Sequence, residues 1–129
     1  MHESALPIGH RRGCSGKLQR TVGGLGFSSY EASNGQEALD LLVEIPTVPD
    51  VALIDWNMPV MDGLQLVRYI RKMPPLRDMC MMMVTTEAEH SQMVRALAAG
   101  AHEYVLKRFT EEVIKQKLAY LGLLAPEHR

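Results

Sequence analysis

Val51-Ala52-Leu53-Ile54 is a run with no polar residue in it, and it stops on a carboxylate, Asp55. A strand that faces water on one side alternates apolar with polar residues, whereas one that is apolar throughout must be covered on both faces. Residues 79–84 read the same way and stop on Thr85-Thr86, and the shorter run 103–106 delivers Lys107. Between these runs apolar residues recur at helical spacing. Ala38, Leu39, Leu41, Leu42 and Ile45 form one such stretch, closed by Pro46 and Pro49. Leu64, Val67 and Ile70 mark another over 63–72, with Asp62 as its N-cap and Pro74-Pro75 as its stop. Met93, Val94, Leu97 and Ala98 mark a third, ended by Gly100, while Thr110 caps a fourth built on Val113, Ile114, Leu118 and Leu121. Doubly covered strands alternating with helices predict an α/β fold, a doubly wound parallel sheet with helices on both faces.

The first quarter is less regular. Residues 28–32 suit a short strand, followed by the turn and cap Ser33-Asn34-Gly35. Residues 5–8 are a candidate first strand weakened by Pro7, which has no N–H for a ladder. Residues 17–25 are a candidate first helix using Leu18, Val22 and Leu25; each interior glycine there costs about 1 kcal/mol relative to alanine. Residues 1–27 carry Arg11, Arg12, Lys17 and Arg20 against the single acid Glu3, although the whole chain of 129 residues has a net charge of only −1. That balance gives no electrostatic case for nucleic-acid binding, and Arg11-Arg12 reads as a solvated face. No apolar run approaches the ~20 residues needed to cross a bilayer, and the apolar stretch of a signal peptide is interrupted by His10, Arg11, Arg12 and Gly13, so a cytoplasmic protein is expected. Cys14 and Cys80 form no CxxC pair and read as reduced thiols. The Met79–Met83 cluster reads as core packing rather than a copper site.

In open parallel sheets, ligands sit at the carboxyl ends of the strands. Three strands here end in Asp55, Thr85 and Lys107. A carboxylate can attack phosphorus, a hydroxyl can bond a phosphoryl oxygen, and an ammonium can balance the developing charge. Any one of these residues alone would read as a cap, a strand-end hydroxyl or a solvated lysine. Together they make a phosphoryl site.

Asp55-Trp56-Asn57-Met58-Pro59 with Met61-Asp62-Gly63, then Val84-Thr85-Thr86-Glu87-Ala88, then Gly100-Ala101 through Tyr104-Val105-Leu106-Lys107, resembles the CheY-like receiver domains of response regulators, in order. Leu25-Gly26-Phe27 and Asn34-Gly35-Gln36-Glu37-Ala38-Leu39 fit as well, so the resemblance runs over roughly 17–125. It implies a flavodoxin-like fold, a five-stranded parallel sheet with five helices, in a stand-alone two-component phosphorelay receiver rather than an enzyme. Asp55 would accept phosphate from a histidine kinase or phosphotransfer protein, Thr85 and Lys107 would sense it, and Tyr104 would be the switching aromatic. A downstream effector protein would read the result through protein contacts, with no nucleic acid or membrane involved. Mg²⁺ would bind Asp55, the Asn57 backbone carbonyl and an acidic pair after the first strand.

The acidic pair is missing: its positions fall at Gly9 and His10. Mg²⁺ needs hard oxygen ligands in octahedral array, so weak or absent binding is expected. Lys107-Arg108 also replaces the family's Lys-Pro, which predicts a rearranged loop there. The whole chain, 1–129, is read as one receiver domain, with 1–16 an atypical segment that replaces the usual first strand. The alternative is a phosphate-independent pseudo-receiver that works as an interaction module. A haloacid-dehalogenase type of phosphotransferase is disfavoured, because its second aspartate would fall at Asn57.

Overall fold

Five parallel strands form one sheet in the order β2-β1-β3-β4-β5. They are β1 (Ser4–Ile8), β2 (Ser28–Ser29), β3 (Val51–Asp55), β4 (Cys80–Thr85) and β5 (Glu103–Leu106). The helices between and after them are α1 (Gly16–Gly24), α2 (Gly35–Glu44), α3 (Gly63–Arg71), α4 (Met93–Ala99) and α5 (Glu111–Tyr120), with a 3-10 turn at Pro74–Leu76. This computed structural model describes residues 4–9, 16–56, 58, 61–86 and 93–123. The expected flavodoxin-like, CheY-like arrangement is what the chain adopts.

The two faces of the sheet are sorted by strand parity. Ala52 and Ile54 of β3, with Met81 and Met83 of β4, pack under α2, α3 and α4. Val51 and Leu53, with Met82 and Val84, pack under α1 and α5 against Leu18, Val22, Ile114 and Leu118. Every residue of β3 is buried, as its unbroken apolar run requires. Met79, Met81, Met82 and Met83 are all core residues. Burial raises the Cys80 thiol above its ordinary range, the effect of Arg71 and Asp50 being smaller, so this half-buried cysteine is a poor nucleophile. Cys14 lies outside the described residues.

Helix starts follow the caps. Asn34 Oδ1 accepts from the Glu37 N–H, and the Ser33 N–H donates to Glu37 Oε1. Asp62 and Gln65 form a full capping box at α3, and Thr110 Oγ1 accepts from Val113 N–H at α5. α1 forms despite its glycines because Leu18 and Val22 are buried on the sheet, packing that outweighs propensity.

Three expectations need correction. The strand at 28–32 is only two residues long, with a separate bridge from Ala32 to Ile8. Tyr30 N–H donates to Ala5 carbonyl, Ala32 N–H to Pro7 carbonyl, and Gly9 N–H to Ala32 carbonyl. By the alternation of a parallel ladder, the donor for the Tyr30 carbonyl would be Pro7, which has no N–H. The rung missing there interrupts β2. On the other side of β1, Leu6 and Ile8 keep their register with Ala52 and Ile54, so β1 stays in the sheet. Second, α4 buries Met93 and Ala96, while Val94 and Leu97 are exposed. Met93 and Ala96 are the side chains that α4 sets into the core, and the bulky pair falls on the outer face. Third, Val113 and Leu121 are only partly buried, leaving Ile114 and Leu118 to anchor α5.

Candidate phosphoryl-acceptor site

The register puts Asp55 beside Val84 and Thr85 beside Leu106, so the ends of β3, β4 and β5 converge. Asp55 is 4% exposed, and the Lys107 ammonium lies 2.9 Å from its Oδ1. The Lys107 side chain is 28% exposed, so the pair sits at the wall of the molecule with the cation on the solvent side. Lys107 N–H donates to Thr85 carbonyl at 2.6 Å, which pins the start of the β5 loop to the end of β4.

The loop after Lys107 carries Arg108 where the resemblance would place a proline. The bond is trans, and Arg108 has φ +68°, a left-handed conformation that costs a non-glycine residue about 1–2 kcal/mol. Phe109 is buried beyond it. Lys17, reaching from α1, donates to Phe109 carbonyl at 2.7 Å and lies 4.7 Å from its ring centroid. This brace is the element sequence reasoning missed; a lone lysine at a helix start carries no signal of it.

A strand-end position would leave Thr85 open to the cleft, but it is fully buried, with its hydroxyl donating to the Thr86 carbonyl at 3.2 Å. β4 simply continues one residue further than the apolar run suggested, and Leu106 of β5 pairs beside it. Thr85→Ala is therefore expected to cost about 1–2 kcal/mol, the sum of a buried methyl and a hydrogen bond. A loss below about 0.5 kcal/mol in urea unfolding would return Thr85 to the surface class.

Tyr104, half-buried on β5, packs its ring against the α2–α4 face of the core. Lys117 Nζ lies 5.4 Å from the ring centroid and also bonds Glu103 Oε1 at 3.0 Å. Trp56 is buried in the same core layer, its N–H bonded to Val84 carbonyl. Gly63 lets α3 start against the back of the site, since a Cβ there would stand 2.8 Å from Met83 Cε and 3.1 Å from Trp56 Cα.

Gly9 follows β1 directly and packs against Asp55: a Cβ on it would lie 2.8 Å from Asp55 Cβ and 3.3 Å from Oδ2. The first strand does bring the expected acidic-pair position to the site, occupied by a residue with no ligand atom on its side chain. His10 and Asn57 lie outside the described residues. Asp55 is already paired with an ammonium, and no cluster of three or more His, Cys, Asp or Glu suited to a metal occurs among the described residues. Those donors do not fit a magnesium set.

A match to the response regulator receiver domain family covers residues 14–119. The chain belongs to that family. As a receiver it is 42% identical over 102 residues to a chemotaxis protein CheY homolog of Campylobacter jejuni, covering 78% of each chain. It is 36% identical to chemotaxis protein CheY1 of Helicobacter pylori, over 78% of this chain and 82% of that protein. Among solved structures it resembles the chemotaxis response regulator CheY4 of Vibrio cholerae, with a TM-score of 0.85 and 25% identity, covering 94% of this chain and 99% of that one. In fold it also resembles the receiver domain of a sensor histidine kinase from Pseudomonas aeruginosa whose active-site cleft holds a magnesium ion, with a TM-score of 0.81, 20% identity and coverage of 95% and 99%. The receiver is thus of CheY type, a component of two-component signalling. Its family match starts at residue 14, so β1 and Gly9 precede the matched segment. No helix of the described residues is long and apolar enough to cross a membrane.

Proposed function

We propose that this receiver takes a phosphoryl group on Asp55 from a phosphohistidine of a histidine kinase or phosphotransfer protein. An Asp55 oxygen attacks phosphorus, the P–N bond breaks, and its electron pair returns to the imidazole, which takes up a proton. The Asp55–Lys107 pair at 2.9 Å carries this reading, because it sets a nucleophilic oxygen and a charge-balancing ammonium at one strand edge. Thr85, next to that pair on β4, and the half-buried Tyr104 on β5 are the residues through which the change reaches the surface. An effector protein reads that surface in the cytoplasm. Transfer is slow, and Mg²⁺ binds weakly, because Gly9 brings no carboxylate to Asp55.

Acetyl phosphate is expected to add one phosphoryl group to the wild type, seen by intact-mass spectrometry, and none to Asp55→Asn. Labelling is expected to respond only weakly to added Mg²⁺. Equal labelling of both proteins would remove Asp55 from the mechanism. No label on either, under conditions that label a CheY with its acidic pair intact, would leave the phosphate-independent interaction module as the function.

A further inference from the structure

α3 and α4 lie side by side on one face of the sheet and end at the edge where the strands begin, opposite Asp55. Arg71 marks that edge, since its guanidinium donates to the carbonyl of Met79, one residue before β4. Between the ends of the two helices lies a hollow of about 420 Å³ lined by Arg68, Arg71, Lys72, Arg95, Ala98 and Ala99. Four of these six carry positive charge, and none is acidic.

The charge is not cancelled locally. Arg71 donates to the carbonyls of Gly100, Arg77 and Met79, which are neutral acceptors. Arg68, Lys72 and Arg95 are exposed and form no ion pair among the described residues. Arg68 and Lys72 also line an adjoining hollow of about 200 Å³ with Gln65 and Tyr69, so the basic strip continues over the outside of α3. A chain of near-neutral net charge has gathered several of its cations here, away from the proposed phosphoryl chemistry.

We propose that this groove docks an acidic segment of a partner protein, a stretch with several neighbouring Asp or Glu side chains. The chemistry selects the class. Guanidinium forks from two different helices pair bidentately with carboxylates, and the alanine floor admits side chains from a peptide. The groove lies at helix C-termini, which turn carbonyls and not N–H groups toward it, so it lacks the backbone donors that usually cradle a phosphate. No aromatic ring lines the main hollow to stack a nucleobase. Because the site is remote from Asp55, docking here is available to the unphosphorylated protein.

A hexaglutamate peptide titrated into the unmodified protein at low ionic strength tests the assignment, read by backbone amide shifts. Saturable shifts are expected in the last turns of α3 and α4, with the Asp55 and Lys107 amides unmoved. Arg68→Glu with Arg95→Glu should weaken binding about tenfold or more, and Arg68→Gln with Arg95→Gln should weaken it less. Both double variants should melt with the wild type, because the two side chains are exposed. Should the reversed pair fail to fold, the neutral pair decides. Unchanged affinity in the variants, absence of binding, or shifts confined to the Lys17–Lys107 end would overturn the proposal. Tighter binding of an oligothymidylate of equal charge at the same amides would overturn it in favour of nucleic acid.

Discussion

Gly9→Asp is expected to destabilise the protein by about 2–4 kcal/mol, measured by urea unfolding in the absence of divalent cations. The first methylene of the new side chain would stand 2.8 Å from Asp55 Cβ. A Cβ is fixed by its backbone, so no rotamer change relieves that contact; β1 and β3 must part by a few tenths of an ångström. The second cost is charge. Asp55 is nearly buried and has one ammonium for company, and a second carboxylate beside it shares that ammonium. Adding Mg²⁺ is expected to return part of the loss in Gly9→Asp with His10→Asp and to leave the wild-type melting temperature unchanged, because a ligand stabilises only the state that binds it. A Gly9→Asp protein as stable as wild type without cation would show that β1 does not hold this residue against Asp55.

Gly100→Ala is expected to cost about 2–4 kcal/mol as well, a fall of about 10 °C in melting temperature. α4 closes with Ala101 N–H on Ala96 carbonyl and Gly100 N–H on Leu97 carbonyl, a Schellman arrangement that needs a residue of positive φ between them. Gly100 supplies it at φ +127°, where an L side chain is strained. A Cβ would also fall 2.4 Å from Arg71 Cγ and 2.6 Å from Nε. Arg71 cannot swing aside freely, since its guanidinium ties Gly100, Arg77 and Met79 carbonyls together and approaches His102 Nδ1. That nitrogen also accepts the Met81 N–H, and partial burial, then the Arg71 charge, hold the His102 imidazole below its usual basicity. The substitution therefore strains one turn and loosens a junction of α3, α4 and β4. Calorimetry showing a drop under about 3 °C would mean that Arg71 contributes little to that junction.

Much of the fold was legible because the signals were local. Apolar runs gave β3 and β4, caps at Asn34, Asp62 and Thr110 gave the helix starts, and the strand ends gave Asp55, Thr85 and Lys107 as neighbours. What stayed hidden depended on pairing between distant segments. The burial of Thr85 goes with β5 lying beside it, and the outward turn of Val94 and Leu97 depends on which face of α4 meets α3 and the core. The Lys17 brace on Phe109 joins residues 92 positions apart. Gly9 could be placed opposite Asp55 by counting, but only the register shows that the two touch.

Pro7 has a consequence for how the sheet comes apart. β1 is joined to β3 along Ala5–Ile8, yet its link to β2 and the bridge at Ala32 lies on either side of a rung that cannot form. The sheet therefore has a seam. In native-state hydrogen exchange, the amides of Leu6 and Ile8, which face β3, should open only with the whole molecule, whereas those of Tyr30 and Ala32 should open in a smaller, independent event. The edge strand can then breathe without disturbing the strand that carries the acceptor aspartate.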